Sequence, residues 1–133
     1  MKKIAVIVVL MCVSCNFFDN KKKPDSTKKL IGTWYSDGYR NSKWVYGKDG
    51  TLSNYYDEKL MEVFKYSVSG TCGDNKIEND TIEYVKLKDK DSIEYCFKIM
   101  SINKNNDGVL SIKNMDTGVT EFFVNDVNAP VKR

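Results

Sequence analysis

The chain has 133 residues, 21 basic and 18 acidic side chains, and no histidine. Without an imidazole there is no Ser-His-Asp or Cys-His nucleophile and no histidine-bound zinc or iron, so no enzymatic activity, catalytic residue, metal or cofactor is expected. The net charge of +3 belongs to the N-terminal part: residues 16–29 hold five lysines against Asp19 and Asp25, whereas residues 30–133 hold 14 basic and 16 acidic side chains. A slightly acidic body lacks the basic face that neutralises phosphates, which excludes a nucleic-acid partner. Lys21, Lys22 and Lys23 read as a solvated linker.

Met1, Lys2 and Lys3 precede an apolar run from Ile4 to Met11, followed by Cys12-Val13-Ser14-Cys15. The run falls short of the roughly 18 residues that a spanning helix needs, and a basic start, a short apolar stretch and a small residue together make a secretion signal. The segment resembles a bacterial lipoprotein signal cut before Cys15, with Ser14 as the small residue at the cut. Cleavage before Cys12 would put the bulky Met11 there. The resemblance implies that residues 1–14 are removed and that Cys15 carries diacylglycerol and acyl chains such as palmitate. Residues 15–28 are then a lipidated N-terminus and flexible linker, and the protein is held at a membrane of the cell envelope. Each buried methylene contributes about 0.8 kcal/mol to such an anchor. Asn16 after the anchor points to the outer membrane where the cell has two.

The expected domain spans residues 29–127, with a C-terminal tail over 128–133. Leu30-Ile31-Gly32-Thr33-Trp34-Tyr35 reads as a first strand with Leu30, Gly32 and Trp34 on one face. Lys43 to Lys48 and Gly50 to Tyr56 flank the hairpin signal Asp49-Gly50, with Trp44 and Tyr46 sharing a face. From Met61 to Gly70, Phe64, Tyr66 and Val68 alternate with Lys65, Ser67 and Ser69. Thr81 to Leu87 is a further strand whose inward face is ambiguous, because Ile82 and Tyr84 oppose Val85 and Leu87. Ser92 to Ile102 puts Ile93, Tyr95, Phe97 and Ile99 on one side and Glu94, Cys96 and Lys98 on the other. Val109 to Lys113 and Val119 to Val124 complete the set, the second reached through Asp116-Thr117-Gly118. Helix is expected to be minor, one turn at most within Glu58 to Phe64. Eight short strands joined by tight turns predict an all-β, antiparallel, eight-stranded up-and-down barrel, because closure removes exposed edges. A sandwich or an open curved sheet is the alternative.

Cys72 and Cys96 are the only thiols beyond the signal region, and an even pair in an oxidising compartment predicts a disulfide. Closing that loop stabilises by about 3 to 4 kcal/mol.

Gly32 and Trp34, a Gly-x-Trp on the first strand of an eight-stranded meander, resemble the opening motif of lipocalins, in which the Trp plugs the barrel floor. Lys43-Trp44-Val45-Tyr46-Gly47-Lys48-Asp49-Gly50-Thr51-Leu52 is similar to the aromatic Asp-Gly-Thr hairpin of bacterial lipocalin-like lipoproteins. The arginine that lipocalins commonly place near the last strand has no counterpart in Val119 to Val124. Avidin-type barrels open in the same way but stack biotin between tryptophans of later strands, and this chain has only Trp34 and Trp44. Small barrels that inhibit lysozyme in the envelope share the architecture alone.

The resemblance implies a non-enzymatic barrel that binds a small hydrophobic or amphipathic ligand. Trp44, Tyr46, Phe64, Tyr66, Tyr95, Phe97 and Phe122 are expected to project inward as its ligand-binding residues, with tyrosine hydroxyls to orient the molecule. The same rings could instead fill the centre. The alternative is a protein-binding module or inhibitor that uses Asp37 to Ser42 or Thr71 to Asp80, with a protein partner unknown. Glu62, Glu83, Glu94 and Glu121 are expected on solvated sheet surface. Asn103, Asn105, Asp107 and Gly108 echo a calcium loop, yet Asn114 stands where its bidentate Glu belongs and strands flank it, so a polar hairpin loop is expected. Asn79-Asp80-Thr81 fits a glycosylation pattern that a bacterial lipoprotein leaves unused.

Overall fold

Alternating apolar residues become eight strands: β1 (Gly32–Ser36), β2 (Ser42–Tyr46), β3 (Thr51–Tyr56), β4 (Lys59–Ser69), β5 (Tyr84–Lys88), β6 (Glu94–Ile102), β7 (Val109–Asn114) and β8 (Thr120–Val124). In this computed structural model, which describes residues 25–73 and 81–130, they follow one another around a closed antiparallel barrel, with β8 returning to β1. The expected signal segment, Cys15, Asn16, Lys21, Lys22 and Lys23 lie outside the described residues, as do Asn79, Asp80 and residues 131–133.

Residues directly opposite each other on paired strands share a face of the sheet. The pairs Trp34↔Trp44, Tyr46↔Leu52, Leu52↔Phe64, Tyr66↔Leu87, Val85↔Phe97, Ile99↔Ile112 and Leu110↔Phe123 therefore trace the barrel interior. In β6 the register skips Met100, which keeps both Ile99 and Ile102 on the inner face. For β5 the inward residues are Val85 and Leu87. Tyr84 lies on the outer face, opposite Ser69 and Lys98, and is nonetheless fully buried.

Two elements differ from expectation. Residues 25–28, expected as the end of the linker, are helical: Asp25–Leu30 forms a short helix, α1, whose last residue Leu30 is fully buried. Its Ser26 hydroxyl donates to the Glu83 carboxylate. Glu58 to Phe64 supplies no helical turn. Asp57 and Glu58, both at positive φ (48° and 62°), make the two-residue loop that joins β3 to β4, as two-residue hairpin turns require.

The remaining turns behave as their side chains dictate. Asp49 accepts hydrogen bonds from the Thr51 amide at 3.1 Å and its hydroxyl at 2.7 Å, which lowers its carboxyl pKa. In the loop around the 3-10 turn Lys104–Asn106, Asn103 accepts from the Gly108 amide at 2.8 Å and Asp107 from the Val109 amide at 2.9 Å. These are the polar hairpin contacts anticipated for the loop that resembled a calcium site. Cys72 is bonded to Cys96, which points outward opposite Lys86 and encloses a separation of 24 residues.

Candidate functional site

Strand direction gives the barrel two unlike ends. At one end α1 and Leu30 close the floor, and the Trp34 indole donates from Nε1 to the Leu30 carbonyl at 2.7 Å. That carbonyl is one of the last in the helix and has no partner within it, so the tryptophan both plugs the barrel and caps α1. Gly32 adopts φ +132°, a conformation that L side chains rarely take, and an added Cβ would meet nothing within 4 Å. The Gly-x-Trp motif thus has a local physical basis: the glycine turns the chain from helix to strand, and the tryptophan then reaches back to the helix end.

The middle is filled by rings. Trp44 lies 4.9 Å from Phe123 and 5.9 Å from Phe97, Tyr46 lies 5.0 Å from Tyr66, and Phe64 lies 6.1 Å from Tyr95. Such tilted and edge-to-face pairs are the favoured arrangements for aromatic side chains. Six of the seven residues expected inside are on the inner face: Trp44, Tyr46, Phe64, Tyr66, Tyr95 and Phe97. Phe122 is not. It pairs with Ser111 on the outer face and is 53% exposed, while its neighbour Phe123 takes the interior place opposite Leu110. Two adjacent phenylalanines satisfy either phase of a strand, and the wrong one was expected inside.

Two of the three interior tyrosine hydroxyls are occupied by the wall itself. Tyr66 Oη donates to the Gly47 carbonyl at 2.7 Å, and Tyr95 Oη donates to Asp89 at 3.2 Å. Tyr46 is different: it is 1% exposed, and its hydroxyl has no hydrogen-bond partner among the described residues. Burial raises its pKa, with the nearby Tyr66 and Glu121 adding to the rise.

At the open end lies a cavity of about 410 Å³, bordered by Ser36, Ser42, Trp44, Glu121 and Phe123, with Asp37 and Tyr39 above. It enters beside the seam between β1 and β8, which is held by the pairs Tyr35↔Val124 and Ser36↔Phe123 and by a bond from the Asp37 amide to the Phe122 carbonyl. The loop beside it is stapled by Arg40, which bonds Asp37 at 2.7 Å and the carbonyls of Asp126 and Val127, each at 3.1 Å. Phe122 borders this cavity from the outer face and also lines an outer groove of about 370 Å³ with Val109, Val124 and Pro130.

The four carboxylates divide. Glu94 is outside, 3.9 Å from Lys88, and Glu83 receives Ser26. Glu62 and Glu121 pair with the inward Asn54 and Ile112 and so take the inner-face register, yet both are exposed at the mouth, solvated as expected. Partial desolvation raises the Glu121 pKa. Only their inward register escapes the sequence pattern, because alternation treats a charged residue as outward by default. Among the described residues no cluster of His, Cys, Asp or Glu could hold a metal ion, and no helix is long and apolar enough to cross a membrane. Comparison with protein-family models, curated proteins and solved structures finds no match for this chain.

Proposed function

We infer that this is a membrane-anchored, non-enzymatic, lipocalin-like lipoprotein that takes a small hydrophobic or amphipathic molecule at the mouth of its barrel. The observation that carries the reading is the 410 Å³ cavity, whose inner wall is the Trp44 and Phe123 pair. Its volume falls in the roughly 300–1,000 Å³ range of small-ligand sites. The closed up-and-down barrel and the Gly32–Trp34 floor support the lipocalin likeness. Because rings occupy the middle, the ligand sits at the open end rather than deep inside.

The anchor and the ligand are tested separately. Cys15→Ala should release the protein into the soluble envelope fraction, and membrane retention of that variant refutes lipidation at Cys15. Native mass spectrometry of the full chain, purified from its own cells and followed by solvent extraction, should reveal a stoichiometric small molecule. A bare mass refutes resident ligand binding.

A second reading, a protein-binding module or inhibitor, is favoured by the filled middle and by Leu60, Met61, Val63 and Ile93, which are exposed toward the open end. It predicts that a protein rather than a small molecule co-purifies in stable ratio.

A further inference from the structure

Resting on that small-ligand reading, we propose that the mouth cavity selects a small organic ammonium ion, its charge held by Glu121 and its apolar body laid against Trp44 and Phe123. Glu121 borders the cavity, and no lysine or arginine pairs with it among the described residues. The basic groups on the bordering elements are committed elsewhere. Arg40 is held by Asp37 and the carbonyls of Asp126 and Val127, and Lys43 points outward to Glu58 at 2.8 Å. Asp37, the other carboxylate at the rim, is neutralised by that same arginine at 2.7 Å. One carboxylate therefore faces the cavity without a counter-ion, exposed at the mouth but with its pKa raised by partial desolvation, and a ligand seated there would cover it.

A neutral apolar ligand would desolvate Glu121 further and return nothing for it. An anion would meet like charge. An ammonium supplies both the missing charge and N–H donors, for which the Ser36 and Ser42 hydroxyls at the same cavity are further acceptors. The indole of Trp44 adds an aromatic wall, the best side chain for holding a cation. One residue pair deeper, the unpartnered Tyr46 hydroxyl offers a second polar contact to a ligand that reaches that far.

The test titrates the full-length protein by calorimetry with 2-phenylethylammonium, 2-phenylethanol and 3-phenylpropanoate, which share an aromatic body and differ in charge. The ammonium should bind at least tenfold more tightly than the alcohol, and the carboxylate least. Glu121→Gln should remove the ammonium's advantage over the alcohol, and circular dichroism and thermal unfolding of the variant show separately that it is folded. Equal binding of ammonium and alcohol to the wild type overturns the charge selection but leaves a small-ligand site standing. Binding of none of the three overturns both.

Discussion

Gly32→Ala isolates the backbone term at the barrel floor. Gly32 holds φ +132° with nothing within 4 Å of an added Cβ, so the substitution introduces no clash and its whole cost is conformational. A residue held in such a region costs about 1–3 kcal/mol. For a domain of this size each kcal/mol moves the melting temperature by about 4–8 °C, so a fall of roughly 5–20 °C is expected. Gly38 is the control, because it also has nothing within 4 Å but lacks a positive φ. There alanine should be neutral or stabilising by about 0.4–1 kcal/mol, through the unfolded chain. Thermal unfolding of the two variants beside wild type, followed by circular dichroism, decides the matter. Equal shifts at both positions would refute the claim that conformation, rather than space, requires glycine at the start of β1.

Three further outcomes follow from the same contacts. Replacing Cys72 and Cys96 together by serine should lower stability by about 3 kcal/mol, seen as an earlier urea midpoint, and an unchanged midpoint would mean the bond does not constrain the fold. Tyr46→Phe removes a buried hydroxyl that has no partner, so stability should stay within about 1 kcal/mol of wild type or rise; a loss of more than that would reveal a bond the structure lacks. Glu121 has a folded-state pKa raised by partial desolvation above its ordinary 4.5. The folded state then disfavours the ionised carboxylate, so full stability holds below that ordinary value and declines as pH rises through the folded one. Glu121→Gln should therefore be more stable than wild type near neutral pH and equal to it in acid, measured by denaturant titration at each pH, and the opposite trend would place the carboxyl in a stabilising contact.

Strand number, order and most inward faces were legible because period two is unambiguous where rings alternate with lysine and serine, as in Phe64-Lys65-Tyr66-Ser67-Val68 of β4. The pattern fails where both faces of a strand are apolar. Tyr84 and Val85 are adjacent and both fully buried, one inside the barrel and one on its outer face. It fails again at Phe122-Phe123, and at Met100, where a skipped residue shifts the phase. Helix α1 has six residues, too few for a 3.6-residue period to show. The candidate site was half visible. Its aromatic wall followed from alternation, but Glu121 did not, since a charge turned inward at a barrel mouth reads in sequence like any surface carboxylate.

Entry of ligand at the Trp44 end can be read from the two indole N–H signals in a proton–nitrogen correlation spectrum of the labelled full chain. On titration with 2-phenylethylammonium, the Trp44 signal and the amides of Ser36, Ser42 and Phe123 should shift together, while the Trp34 signal, locked on the Leu30 carbonyl, stays in place. Shifts confined to the outer face around Phe122, or movement of Trp34 with Trp44 unmoved, would contradict it.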